Sequence, residues 1–113
     1  MSESIKEVKK EEELNSVFTY ELKKPVMYNG ENITELSFDF ESLTGGDALK
    51  IEEELQALGK TAIVPAFDSE YLMRMAVRAC TKKGIGVDLF PILGITDFNK
   101  ITSKAKNFLL KSE

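Results

Sequence analysis

The stretch that decides the fold is KKPVMYNGENITELSFDF, residues 23–40, in which two apolar runs flank an Asn-Gly pair. Asn29 and Gly30 are residue types that adopt the positive φ angles of a two-residue type I′ turn. After this turn, Leu36 and Phe38 alternate with polar residues, which is the period of a half-buried strand. The stretch therefore predicts an antiparallel β-hairpin.

A hairpin alone is marginal in water, so its apolar face needs a cover. Residues 17–22 also alternate and predict a strand that pairs with the hairpin, which would make a three-stranded sheet. Helical spacing then predicts a first helix over residues 47–58. The expected fold class is α+β, a small N-terminal antiparallel hairpin or three-stranded sheet followed by about three helices packed on it.

Capping residues place the other two helices. Asp68 is a good N-cap for a second helix that closes at Gly84, and Thr96 is a good N-cap for a last helix. Between the first two helices, the stretch KTAIVPAF is apolar but interrupted by Pro65, which predicts an extended connector pressed on the core. The expected buried positions are Leu72, Met75, Ala76 and Ala79 in the second helix, and Phe98, Ile101, Ala105, Phe108 and Leu109 in the last.

Composition divides the chain into an arm and one domain. Residues 1–16 are rich in Glu and Lys and contain few apolar residues, so they are expected to form a flexible charged arm. Residues 17–113 are expected to form a single domain, with a hairpin region at 17–42 and a helical region at 44–113.

Charge and cysteine usage limit the classes of partner and compartment. The net charge of −4 argues against generalised attraction to nucleic acid or to an anionic membrane. No apolar run has the length of a membrane-spanning helix, and the N-terminus is charged where a signal peptide is apolar. Cys80 is the only cysteine, which excludes an internal disulfide and agrees with a reducing compartment. We therefore expect a cytoplasmic protein.

The sequence is poor in groups that carry chemistry. It contains no histidine, which excludes Ser-His and Cys-His dyads and imidazole metal ligands. The run Glu52-Glu53-Glu54 does not converge on one point, because consecutive helical residues point about 100° apart. Gly45-Gly46 lacks the Lys-Ser/Thr of a phosphate-binding loop, and Cys80 has no adjacent base. We expect no catalytic, cofactor-binding or metal site and no enzyme activity.

Two features could serve a macromolecular partner. Arg74, Arg78 and Lys82 form a basic stripe on the second helix, which would suit a small nucleic-acid-binding regulator or could simply face the Glu-rich first helix or water. The dense apolar run IGVDLFPIL, residues 85–93, is a candidate protein-binding surface, or it closes the bottom of the core. The residues expected to bind a partner there are Leu89, Phe90, Ile92 and Leu93.

Three ordered motifs carry a resemblance to a known family. They are LKKPVMYNGENITELSFDFESLTGGD, FDSEYLMRMAVRA and GITDFNKITSKAKNFLL. Together they resemble the small tail assembly chaperones encoded by long-tailed bacteriophages and prophages of the Mu-like and contractile-tail type. The resemblance covers about residues 20–110, and none of its motifs is a catalytic signature.

The resemblance implies a cytoplasmic helper of tail assembly that is absent from the mature virion. Such proteins are not enzymes; they coat the aggregation-prone tape measure protein and are thought to deliver tail tube subunits along it. A frameshifted, longer form often recruits the tube protein, and a chain ending at Glu113 would be the short form. Covering a long target takes many copies, so a homo-oligomer stays open. A minor structural tail component is the other alternative.

Overall fold

The computed structural model describes residues 17–111, so the predicted arm at residues 1–16 lies outside the described part. Strands β1 (Val17–Tyr28) and β2 (Glu31–Asp39) form an antiparallel hairpin. Tyr28 pairs with Glu31, and the two residues between them have φ angles of 50° and 77°. The predicted two-residue turn is therefore confirmed.

Strand β1 contains the segment that was expected to form a third strand. Residues 17–22 are extended as predicted, but they continue directly into the hairpin and pair with the end of β2. The register shifts between Glu21 and Val26, where Pro25 has no N–H to donate to the ladder. The chain bulges here instead of reversing, so the sheet of the described residues has two strands and the three-stranded alternative is wrong.

Three α-helices follow the hairpin: α1 (Gly45–Ala57), α2 (Ser69–Ala79) and α3 (Ile95–Lys111). They confirm the predicted α+β class. The segments between them contain short 3-10 turns at Phe40–Ser42, Pro65–Phe67 and Val87–Ile92.

The ends of the helices differ from the predicted ends by a few residues. Helix α1 begins two residues early because Thr44 and Asp47 form a capping box. Helix α2 ends at Ala79 rather than near Gly84, because the next residues leave the helix to meet β2, where the Thr81 N–H donates to the Ser37 carbonyl at 2.9 Å. Helix α3 includes Thr96, which was expected to cap it.

Helix α2 lies at the centre of the packing, between α1 and α3 and against the hairpin. Its predicted apolar stripe is buried, and Tyr71 and Met73 extend it. Phe38 and Phe40 bring the end of β2 into the same core, and their rings stack at 5.9 Å between centroids. Within residues 17–111, no helix combines the length and the apolar character that crossing a bilayer requires.

Candidate functional site

The four residues predicted to bind a partner do not lie together on an exposed surface. Leu89, Phe90 and Leu93 are buried in the core, and only Ile92 is exposed, at 49% of its surface. The alternative, that this run closes the core, is therefore correct for three of the four residues. The physical reason is the 3-10 turn Val87–Ile92, which folds the short run back on itself. The Phe90 ring then packs edge-on against the Phe98 ring, with 6.2 Å between the ring centroids.

Three exposed apolar side chains of the helical half lie close together in sequence, in the connection between α1 and α2. Ile63 is 90% exposed, Phe67 is 68% exposed, and Val64 is also exposed. We call these three residues the connector patch. The expectation that this connector is pressed on the core is wrong for them, although the neighbouring Ala62, Pro65 and Ala66 are half-buried.

The connector patch is held in place from both ends. At its start, the Lys60 N–H donates to the Leu55 carbonyl at 2.9 Å as α1 closes. At its end, the Asp68 carboxylate caps α2 by accepting from the Tyr71 N–H at 2.9 Å. The Lys60 ammonium also pairs with the Glu70 carboxylate, which ties one end of the connector to the other. The backbone that carries the connector patch is therefore anchored at both ends.

Helix α3 lies beside the connector patch. The Lys106 ammonium is 5.0 Å from the centre of the Phe67 ring, in cation–π geometry. Leu110 lies one turn further along the same side of α3 and is 44% exposed. The apolar surface therefore has a positive charge at its edge and an aliphatic side chain near the end of the helix.

The basic stripe on α2 is neutralised by carboxylates. Arg74 Nη1 lies 2.8 Å from Glu54 Oε1, and Arg78 Nε lies 2.8 Å from Asp47 Oδ1. Lys82, beyond the end of α2, pairs with a carboxylate of β2 at 2.7 Å. The stripe faces the acidic side of α1, as one of the sequence alternatives predicted. Its side chains join elements of the fold, and nothing in their arrangement favours a nucleic-acid surface.

The buried carboxylate of Asp97 joins the last helix to the first strand, a role that the sequence analysis did not predict. It accepts hydrogen bonds from the Tyr20 hydroxyl at 2.7 Å and from the N–H groups of Lys23 and Lys24 at 3.0 and 3.1 Å. Burial by itself raises the pKa of Asp97, but these hydrogen bonds together outweigh burial and hold the pKa below its ordinary value. The only sequence signal was an Asp near a helix start, which is typical of ordinary capping.

The single thiol is not activated. Cys80 is half-buried, and burial raises its pKa, against a smaller lowering by the neighbouring Lys82. A thiol with a raised pKa is mostly protonated near neutral pH and is a poor nucleophile. Among residues 17–111, no group of three or more Cys, Asp or Glu side chains is placed to hold a metal ion.

Comparison of the chain with protein-family models, with curated proteins and with solved structures gave no match in any of the three.

Proposed function

We propose that this chain is a phage or prophage tail assembly chaperone, which binds the tape measure protein and keeps it from aggregating in the host cytoplasm. The proposal includes no catalytic step, and it excludes the chain from the mature virion. Its sequence support is the ordered set of motifs over about residues 20–110. The structural observation that carries it is the connector patch.

An exposed apolar surface suits this role because the target is itself apolar on one side. An amphipathic helix binds by laying its apolar stripe on a complementary surface, with anchors at helical spacing. Ile63 and Phe67 lie outside the core and are exposed for such contacts, with the Lys106 ammonium over the Phe67 ring. Each well-buried anchor of this size contributes on the order of 2 kcal/mol to binding.

The genes beside this one give the first test. The proposal expects a major tail protein upstream and a very long, helix-rich tape measure protein downstream. Purified tail particles give the second test. Mass spectrometry of the particles is expected to detect no chaperone, because a chaperone leaves before the virion is complete. Finding the chain at fixed stoichiometry in particles would instead make it a structural tail component.

Co-expression tests the binding surface directly. The wild-type chain is expected to keep the tape measure protein in the supernatant, and the double variant Ile63→Asp/Phe67→Asp is expected to leave it in the pellet. The matched control is Met27→Asp/Leu49→Asp, which places the same charges at side chains that are 63% and 64% exposed outside the patch. Circular dichroism checks that each variant is folded. Equal rescue by both folded double variants would contradict the proposed surface.

A further inference from the structure

One exposed face of α3 is basic, although the whole chain has a net charge of −4. Lys100, Lys104 and Lys111 are spaced at i, i+4 and i+11, so they project from the same side of the helix. All three are exposed, and no carboxylate in the described part of the chain lies within ion-pair distance of them. The one acidic residue within α3, Asp97, is buried and hydrogen-bonded elsewhere. This contrasts with α2, whose arginines are paired.

A groove of about 280 Å³ runs along this face, where the end of α3 meets the start of β1. Its apolar lining comes from Phe18, Phe40 and Phe108, and Lys104 and Lys111 supply its positive charge. The Lys104 ammonium lies 5.1 Å from the centre of the Phe18 ring. We call this site the basic groove.

We propose that the basic groove binds an acidic peptide segment of a partner protein. Carboxylates of the segment pair with Lys104 and Lys111, and an apolar side chain of the segment lies on the phenylalanine rings. Charge complementarity favours an acidic occupant. The described lining of the groove has two ammonium groups, those of Lys104 and Lys111, and one carboxylate, that of Glu41. A second copy that met the groove with its own basic groove would be repelled.

The rings favour a peptide over a single-stranded nucleic acid. Base stacking needs an open aromatic face. The Phe40 and Phe108 rings instead stack on each other, at 5.7 Å between centroids, and Lys104 lies over Phe18. The partly exposed Phe18 and Phe108 offer an apolar floor for an aliphatic side chain, whereas Phe40 is buried. The site is separate from the connector patch, so it stands independently of the proposed chaperone role.

Fluorescence anisotropy of the full chain with a labelled glutamate-rich peptide that carries two leucines tests the proposal. We expect saturable binding that weakens with added salt. The charge-reversal variant Lys104→Glu/Lys111→Glu is expected to bind about tenfold more weakly, because two attractions become repulsions. Replacing the two leucines of the peptide by serine is also expected to weaken binding, because the apolar floor then has nothing to bury.

The control variant Lys50→Glu/Lys83→Glu makes the same change in net charge at exposed lysines outside the groove, and it is expected to bind like the wild type. Equal losses in both double variants would overturn the proposal, since only net charge would then matter. Tighter binding of a labelled single-stranded oligonucleotide than of the peptide would overturn it in favour of nucleic acid. If charge reversal unfolds the chain, Lys104→Gln/Lys111→Gln tests the same contacts without repulsion.

Discussion

The Asp97 carboxylate in the first turn of α3 accepts a 2.7 Å hydrogen bond from the Tyr20 hydroxyl in β1, across 77 residues of sequence. The same carboxylate binds the two N–H groups of the β1 bulge just before Pro25. A bulge leaves backbone donors without ladder partners, and a buried donor without an acceptor is costly. Asp97 thus supplies the acceptor that allows the strand to bulge against the last helix.

Removing this charge destabilises the fold. We expect Asp97→Asn to lower the free energy of unfolding by about 2 kcal/mol near neutral pH, because the amide offers one acceptor oxygen where the carboxylate offers two. Tyr20→Phe, which removes one of the three hydrogen bonds, is expected to cost about 1 kcal/mol. Urea unfolding followed by circular dichroism measures both values. A larger loss for Tyr20→Phe than for Asp97→Asn would contradict this assignment.

The same carboxylate gives the stability a pH dependence in the acid range. The pKa of Asp97 is lower in the folded chain than its ordinary value of about 3.9. A lowered folded pKa means that the stabilisation is complete above the unfolded pKa and is lost as the pH falls through the folded pKa. We expect urea midpoints of the wild type to fall in this window, and those of Asp97→Asn to fall less. Parallel curves for the two proteins would contradict the prediction.

Part of the acid dependence is expected to remain in Asp97→Asn. The pKa of Asp47 is also lowered, first by the Thr44 N–H that it accepts and then by Arg78. The difference between the wild-type and Asp97→Asn curves therefore isolates the contribution of Asp97.

Tyr20 is expected to ionise only in strong alkali. Its hydrogen bond to Asp97 and, secondarily, its burial raise the pKa of Tyr20 to about 12. Because the folded pKa is raised, the stabilising contribution is present below the unfolded pKa of about 10 and is lost as the pH rises toward 12. The pKa values of Tyr28 and Tyr71 are raised as well, by the Asp88 hydrogen bond and by burial respectively, so the tyrosinate titrations of the wild type and Tyr20→Phe are compared. The difference between the two ultraviolet titrations should be one ionisation near pH 12. A step of that kind persisting in the variant would assign it to another tyrosine.

Phe90 and Ile92 separate the two interpretations of the apolar run between α2 and α3. Phe90 is 1% exposed and Ile92 is 49% exposed, although they are two residues apart. We expect Phe90→Ala to cost about 3–5 kcal/mol of unfolding free energy, because it leaves a cavity next to Phe98. Ile92→Ala is expected to cost less than about 1 kcal/mol. Thermal and urea unfolding of the pair measure the contrast, and similar costs would show that the run is not packed as described.

The sequence alone determined the local elements. The Asn29-Gly30 turn, the alternation of Leu36 and Phe38, and the capping Asp68 depend on backbone preferences and on patterns within a few residues. Such patterns can be recognised without knowing which distant residues contact them in the folded chain. They predicted the hairpin, the three helices and the buried stripe of α2, and the structure confirms each.

Only the tertiary structure decided which of the two proline-interrupted apolar runs is buried. The runs containing Phe90 and Phe67 look alike in sequence, each apolar and interrupted by proline, yet one is buried in the core and the other is exposed. Asp97 is a similar case. An acidic residue near a helix start is common, and its hydrogen bonds to Tyr20 and the β1 bulge exist only in the folded chain. Burial depends on contacts between residues distant in sequence, and local spacing does not encode which of several apolar runs fills a limited core.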